Sequence, residues 1–334
     1  MCNKGSKYNS SNKGQDNLDT LAQLVTFPCN HLENSPLIVQ DKDQINLQKR
    51  ARAKAFTNSF LFDLIDLKSP LTKSYWNTFH CSKTILQEGK RISSRYCNNR
   101  WCLTCNRIRT AKMINGYQAT IETFKDPRFV TLTIPNVKAK YLRDTIDLMN
   151  QVLREIQRSL KKTHNIQIRA LRKYECTYNA ERNDYHPHFH FILDELGVAN
   201  LLVKYWVKKN VGADVKGQDI TKADDTSLIE LCKYFTKVIA KDNDYNPKAL
   251  DIMFRAVRGK RTFQPIGIKK DVSEDIEEIQ SQEIEFKPPQ EQIWGYEADA
   301  YDWVSADGEL FSEYSPTVKD LSVINKVYDS TKPK

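Results

Sequence analysis

The chain has 334 residues, 40% of them hydrophobic, and a formal net charge of +9. It is therefore long enough to bury one substantial core with a smaller module beside it. The sequence lacks an apolar run near the roughly 18 residues that a membrane helix requires, and its polar start lacks the apolar core of a secretion signal, which together predict a soluble, cytoplasmic protein without a membrane partner.

The charge is distributed unevenly along the chain. Residues 271–334 hold 5 Lys or Arg and 16 Asp or Glu, so residues 1–270 carry a net charge of +20. A segment this basic favours binding of a polyanion, although a merely well-solvated surface would give the same excess of basic residues. Residues 269–334 are predicted to form an acidic C-terminal tail, for which solubility is the default role.

The N-terminal part contains two different patterns. Residues 1–42 are polar, rich in Asn, Ser and Lys, and without a period of 2 or 3.6, which predicts a disordered segment. Residues 43–75 are predicted to be a helical segment, in which the helix from Asp43 to Asp66 has basic residues early and an apolar patch late. That patch is expected to dock on the core.

A cysteine-rich module is predicted at residues 76–115. Cys97, Cys102 and Cys105 follow an x4, x2 spacing, and Cys81 or His80 upstream is the fourth candidate ligand. This set suits a closed tetrahedral zinc site, with buried, unreactive thiols as the alternative. Surrounding arginines are predicted to hold a DNA phosphate backbone: Arg95, Arg100, Arg107 and Arg109.

Residues 125–268 alternate between strand and helix patterns. The patterns predict, in chain order, a strand at 129–134, an amphipathic helix at 138–162, strands at 167–178 and 186–193 joined by a polar turn, a helix at 195–210, a short strand at 213–221 and a helix at 226–241. This order predicts an α+β fold with a central antiparallel sheet and helices packed on it.

The strand at 186–193 carries a candidate metal site. His186, His188 and His190 occupy alternate positions, so their side chains leave the same face of the sheet, whereas Phe189 and Phe191 supply the opposite, buried face. The alternative is a polar outer face that happens to use His. Three imidazoles on one side favour binding of a divalent cation.

Glu175 is the candidate carboxylate ligand for the same ion. If the hairpin turns near Arg182, Glu175 lies opposite residues 188–190, where paired side chains approach to about 5 Å. Two imidazoles and a carboxylate, with open coordination positions, suit Mg²⁺ or Mn²⁺ acting on phosphate oxygens. A slip of one residue would turn Glu175 away, and it would then be a surface residue beside Arg172 and Lys173.

The helix predicted at 226–241 carries a candidate nucleophile. Glu230, Tyr234 and Lys237 are spaced four and three apart, so they share one helical face. A phenol with a pKa of about 10 needs help to attack a phosphodiester, and a nearby cation and a lysine both provide it. Glu230 is a candidate general base for water. A Tyr on an amphipathic helix is more often part of a core or a surface.

Three motifs in this order resemble those of the Rep proteins of rolling-circle plasmids, in the branch of the HUH endonuclease superfamily that has a Glu four residues before a single Tyr. FVTLTI at 129–134 is similar to the first motif, HPHFHFIL at 186–193 to the metal-binding HUH motif, and ELCKYFTK at 230–237 to the tyrosine motif. The likeness extends over about residues 80–268.

The resemblance implies an HUH nicking domain of RRM-like topology at 125–268 in a bacterial protein that nicks one DNA strand at a plasmid origin. It implies that His188 and His190 bind the ion, that Tyr234 becomes linked to the 5′ phosphate, and that Glu230 supports terminating hydrolysis. The free 3′ hydroxyl would prime a host polymerase. Expected partners are single-stranded and duplex origin DNA, with a host helicase as a further candidate.

Several alternatives remain open at this stage. His186 precedes the core pair of histidines, so it is a candidate for contact with DNA or for an indirect contact with metal. A mobilisation relaxase or a single-tyrosine transposase would carry similar motifs. A zinc-containing repressor that only binds DNA would not need Tyr234, and a metallohydrolase would cleave without a protein-linked product. The sequence does not indicate the oligomeric state.

Overall fold

A computed structural model describes residues 42–88, 91–224, 226–232, 246–270 and 292–325. The α-helices within these ranges are α1 Lys42–Asp66, α2 Thr72–Phe79, α3 Leu103–Glu122, α4 Leu142–His164, α5 Leu196–Lys209, α6 Ser227–Cys232, α7 Pro247–Val257 and α8 Val318–Ile324. The strands are β1 Thr84–Glu88, β2 Arg91–Ser94, β3 Arg128–Thr133, β4 Ala170–Asn179, β5 Asp184–Leu193, β6 Asp219–Lys222, β7 Phe263–Ile266, β8 Gln292–Glu297 and β9 Asp302–Val304.

A five-stranded antiparallel sheet forms the centre of the fold. Its strand order is β6-β3-β5-β4-β7, and helices pack on it, which confirms the predicted α+β class. The central β4–β5 hairpin turns over residues 180–183, where Asn183 adopts a left-handed backbone (φ 47°) and the Asn179 side chain accepts from the Arg182 amide. Asn tolerates this conformation better than most residues, so the turn sequence fixes the hairpin.

The two faces of this sheet have different surroundings. On one face Leu132, Phe189 and Phe191 pack beneath α4 and α5, and the buried Arg172 lies opposite Phe191 and donates to Asn150 of α4. On the other face, only one row is apolar: Phe129, Ile192 and Leu171 lie side by side and are covered by α3 and α6. The next rows on this second face are polar, and they contain the histidines.

The helical segment that precedes the sheet belongs to the same core. Phe56 and Phe60 of α1 lie in one buried cluster with Leu132 and Phe189 of the sheet and Phe254 of α7. The predicted docking of α1 is therefore observed. The helix α7 was not predicted, and α3 extends beyond the predicted end of the cysteine module at residue 115.

Residues 292–325 form ordered structure, which corrects the prediction of a tail over 269–334. Strand β8 pairs with β1, so that the second sheet has the order β2-β1-β8-β9 and packs on α1. Trp303 is fully buried, and Asp320 of α8 accepts from Arg52 of α1 at 2.7 Å. The acidic residues of this segment mostly face solvent while its aromatic residues alternate inward, and a charge count does not detect that alternation.

Other predictions fall partly or wholly outside the described ranges. The N-terminal segment 1–42 lies outside them except for Lys42, and the helix predicted at 226–241 is described only as far as Cys232. Within the described part of the chain, each helix is too short or too polar to cross a membrane.

We expect Trp303→Ala to lower the free energy of unfolding by about 3 to 5 kcal/mol, because it removes a large, fully buried side chain from the contact between the C-terminal strands and α1. Urea denaturation monitored by far-UV circular dichroism measures this change. Val318→Ala in the same segment, 87% exposed, is the control and should change the free energy of unfolding by less than about 0.5 kcal/mol. A loss below about 1 kcal/mol for Trp303→Ala would contradict the packing.

Candidate metal centre

Three histidines lie side by side on the second face of the central sheet. The ring centroids of His186 and His188 are 5.1 Å apart, and those of His188 and His190 are 4.8 Å apart. His188 is buried, whereas His186 and His190 are half-buried at the edge of the polar rows. The alternation predicted from the sequence thus gives one cluster of imidazoles.

Glu175 completes this cluster from the neighbouring strand. It lies directly opposite His188, which confirms the predicted hairpin register. Its Oε2 is 3.6 Å from His188 Nε2 and 3.4 Å from His190 Nε2. The three side chains can each offer one ligand atom within 4.8 Å of the others.

The remaining nitrogen of each imidazole has its own partner. His188 Nδ1 is 3.0 Å from the His186 carbonyl oxygen, which can only accept, so Nδ1 carries a proton and Nε2 is the atom that faces Glu175. His190 Nδ1 is 3.0 Å from Thr131 Oγ1 on β3. Such outer contacts fix the orientation of a ligating imidazole.

The electrostatics of the cluster favour the protonation states that bind metal. Burial raises the pKa of Glu175, but the Lys173 ammonium and the two imidazoles outweigh it and hold the pKa well below its usual range. Burial lowers the pKa of His190 and of His186. An ionised carboxylate beside neutral imidazoles is the state a divalent cation requires.

The geometry of these atoms suits a small divalent ion. Ligand atoms that each lie about 2.1 Å from one ion are separated by about 3 to 3.5 Å, close to the observed separations of 3.4 and 3.6 Å. Two nitrogens and one oxygen would leave the remaining positions of an octahedral ion open to other oxygens. The residues present therefore fit Mg²⁺ or Mn²⁺.

Helix α6 packs on the apolar row of the second face, next to the polar rows that contain the histidines. Leu228, Leu231 and Cys232 pack over Leu171 and Ile192, one row from the cluster. Burial raises the pKa of the Cys232 thiol to about 12, against an opposing effect of Lys173. The start of the predicted nucleophile helix therefore lies beside the candidate metal site.

The predicted residues of that helix are described only in part. Glu230 is half-buried, and its amide donates to the Thr226 carbonyl at 2.9 Å. Tyr234 and Lys237 lie outside the described residues, so their positions relative to the metal cluster stay predictions.

A second candidate metal site consists of four cysteines. The Cys81 sulfur is 3.5 Å from that of Cys105 and 3.6 Å from that of Cys102, and the sulfurs of Cys97 and Cys105 are 3.7 Å apart. Sulfurs around a zinc ion at about 2.3 Å are separated by about 3.8 Å. His80 instead stacks on Trp76, so Cys81 is the fourth member of the group.

The four arginines of the cysteine module differ in their surroundings. Arg95 is exposed. Arg100 donates to Thr262 Oγ1 at 3.2 Å, and Arg109 donates to Asn106 Oδ1 at 2.7 Å. Burial, followed by the charge of the nearby Arg50, lowers the pKa of Arg107 to about 10. Their contact with DNA stays a prediction.

Sequence reasoning did not assign a role to two residues that contact the cluster. Thr131 contacts His190, and Lys173 Nζ lies 2.5 Å from Glu175 Oε1. Both lie on the histidine face, directly opposite His190 on its two neighbouring strands. The period of two along β3 and β4 was the available signal, because residues 173 and 175 must face the same way.

Comparisons with known proteins support the resemblance drawn from the motifs. Residues 89–194 match the Rep_1 family model, which is described as a replication protein. A "Protein rep" from Staphylococcus aureus is 28% identical over 186 residues, which span 50% of this chain and 79% of that protein. No solved structure matches the chain significantly.

Two further relatives share shorter parts of their own length. A "Protein rep" from Streptococcus pneumoniae is 36% identical over 104 residues, which span 29% of this chain and 32% of the relative. Another from Bacillus sp. is 28% identical over 194 residues, or 57% of this chain and 54% of the relative. The predicted resemblance to replication proteins is confirmed, and the family match at 89–194 includes Glu175 and all three clustered histidines.

The buried thiol of Cys232 offers a test of how α6 packs. Because only the thiolate reacts, a pKa of about 12 leaves about one thiol in ten thousand reactive at pH 8. We expect Cys232 to resist iodoacetamide at pH 8 in the folded protein, as should Cys176, whose pKa burial also raises to about 12. Peptide mapping by mass spectrometry measures the modification. Both should react in guanidinium at the same pH, and rapid labelling of Cys232 in the folded protein would contradict the packing.

Proposed function

We propose that this chain initiates rolling-circle replication of a plasmid by nicking one strand at the origin. The observation that carries the proposal is the cluster of Glu175, His188 and His190, which lies beside α6 within a segment similar to replication proteins. The proposed substrate is single-stranded origin DNA, and the proposed ion is Mg²⁺ or Mn²⁺.

The proposed reaction is a transfer of the DNA phosphoryl group to Tyr234. The phenolate oxygen attacks the scissile phosphorus, the bond between phosphorus and the 3′ oxygen breaks, and that oxygen takes a proton. The 5′ phosphate is then joined to Tyr234, and the free 3′ hydroxyl primes a host polymerase. Bound at the cluster, the divalent ion would supply charge neutralisation at the phosphate.

Other residues of this chain are proposed to support the reaction. Lys237 stabilises the phenolate or holds the scissile phosphate. Glu230, four residues before Tyr234 in the sequence, activates the water that ends a round by hydrolysing the phosphotyrosine bond. His186, adjacent to His188 but farther from Glu175 along β5, contacts the DNA strand as it leaves the ion.

The cysteine group is proposed to hold a structural zinc ion. Four sulfurs would fill all four positions of a tetrahedral ion and leave none for water or substrate. Such a closed site is typical of zinc that stabilises a fold. The group joins the end of α2, the β2 region and the start of α3, and Cys102 caps α3 by accepting from the Cys105 amide. The nearby arginines would then present a basic surface to the DNA backbone.

Trapping of the covalent product tests the proposed nickase. Single-stranded oligonucleotides tiled across both strands of the replicon are incubated with the protein and Mn²⁺, and adducts are mapped by mass spectrometry. We expect a tyrosine-linked 5′ phosphate at Tyr234, and we expect Tyr234→Phe to lower adduct formation by at least about a thousandfold. Tyr205→Phe on α5 is the matched control, because its hydroxyl contacts His164 on the other side of the sheet.

The outcomes of this experiment separate the alternatives. Cleavage without a linked product would favour a metallohydrolase. Duplex binding without any cleavage, unchanged by Tyr234→Phe, would favour a repressor. Adducts confined to the ends of a mobile element, or to a transfer origin that cannot support replication, would favour a transposase or a relaxase. Each of these results would overturn the proposed function.

Elemental analysis tests the zinc proposal. We expect about one zinc per purified chain, and we expect Cys105→Ser to remove most of it and lower the thermal midpoint by several degrees, because a closed site contributes directly to folding. Cys176→Ser is the control, since that buried thiol lies on β4 outside the cysteine group and should leave the zinc content unchanged. Full zinc retention in Cys105→Ser would exclude the site.

A further inference from the structure

Lys173 occupies an unusual position for a lysine. Its side chain is 5% exposed and lies on β4 two residues before Glu175, on the face that carries the histidines. It is opposite His190 on β5 and Phe263 on β7. A buried ammonium is costly unless it is paired, so its contacts indicate its role.

The Lys173 ammonium lies against one oxygen of the candidate ligand. Its Nζ lies 2.5 Å from Glu175 Oε1. The other oxygen, Oε2, faces the Nε2 atoms of His188 and His190 at 3.6 and 3.4 Å. The two oxygens of the carboxylate therefore have separate partners.

The same division applies to all three candidate ligands. His188 uses Nδ1 for the His186 carbonyl, and His190 uses Nδ1 for Thr131. In each case one atom is held by the protein and the other is directed to the shared point. Because a carboxylate can bind an ion through either one or two oxygens, the restraint on Glu175 affects how many coordination positions it fills.

We propose that Lys173 is a positioning residue that limits Glu175 to one oxygen on the divalent ion. Two imidazoles and one carboxylate oxygen fill three positions of an octahedral ion and leave about three for solvent and phosphate oxygens. A second carboxylate oxygen would take a position that the scissile phosphate needs. This inference rests on the proposed function of the cluster as the nicking site.

Two other roles for Lys173 differ from positioning: burial argues against the first, and an experiment separates the second. A direct contact with the DNA backbone requires an accessible ammonium, and this one lies between Glu175 and the neighbouring rows of the sheet. A purely electrostatic role, in which the positive charge repels the cation, would act equally with or without the carboxylate. Removing Glu175 therefore separates positioning from simple charge.

A double-mutant cycle with Mn²⁺ alone tests this proposal. The number of water molecules on bound Mn²⁺ is measured from the broadening of its electron paramagnetic resonance lines in ¹⁷O-labelled water. We expect about three waters in the unaltered protein and about two in Lys173→Met, in which the second carboxylate oxygen is free to bind. In the Glu175→Ala background, Lys173→Met should leave the count unchanged.

Two controls accompany the cycle. Lys173→Arg keeps a charged donor and should retain about three waters, and Lys173→Leu, which also lacks a donor, takes the place of the Met variant if the latter does not fold. Lys209→Met removes an ion-paired lysine on α5, 3.2 Å from Glu155, and should change nothing. An unchanged count in Lys173→Met, a rise to four, or an equal change without Glu175 would overturn the proposal.

Nicking gives a separate readout. With saturating Mn²⁺, Lys173→Met should slow single-turnover adduct formation at least tenfold while leaving the affinity for single-stranded DNA within twofold, because the lysine does not touch DNA. Equal rates would also overturn the role of Lys173. If the unaltered protein forms no adduct at all, the proposed function fails, whereas the water counts still decide how Lys173 acts on Glu175.

Discussion

The candidate centre depends on one structural constraint, the register of the β4–β5 hairpin. Because Glu175 is paired with His188, the carboxylate and two imidazoles converge, and Lys173 is set opposite His190. A shift of one residue would turn Glu175 and Lys173 away from the histidines, onto the face beneath α4 that Tyr174 and Arg172 occupy. That face already holds one buried charge, Arg172, which has hydrogen-bond partners in Asn150 and Gln264. Burying two further charges there without such partners is costly, and this cost favours the register that assembles the ligands.

Much of this arrangement followed from local pattern. The strict alternation in HPHFHFIL fixes which face is apolar, and the polar turn between the strands fixes the pairing within one residue. The second sheet did not follow, because β1 and β8 are more than 200 residues apart in sequence and short strands gain their stability from packing rather than local preference. The identity of the fourth candidate ligand also could not be predicted, because His80 and Cys81 are adjacent in sequence and only the three-dimensional structure shows that Cys81 faces the group.

The division of the second face separates the cluster from the apolar packing beside it. The row of Phe129, Ile192 and Leu171 anchors α3 and the described part of α6, and the histidines lie in the rows next to it. Threonines flank the histidines on one side, with Thr131 beside His190 and Thr133 beside His188 on β3, whereas Lys173 and Glu175 flank the same two histidines on β4.

Helix α3 links the two candidate metal sites. It begins at the cysteine group, where Cys102 and Cys105 lie in its first turn, and one and a half turns later the Thr110 hydroxyl donates to the Cys232 carbonyl at 3.0 Å. A threonine within a helix usually donates to a carbonyl of its own preceding turn. Here the Thr110 hydroxyl instead donates to α6, and this contact fixes the position of the end of the described part of α6 along α3. Since α3 and α6 also share the apolar row on the sheet, displacement of the cysteine group would move α6 relative to Glu175 and the histidines. The cysteine module thereby acts as a support for the candidate centre on the sheet, whether or not its arginines make the proposed contact with DNA.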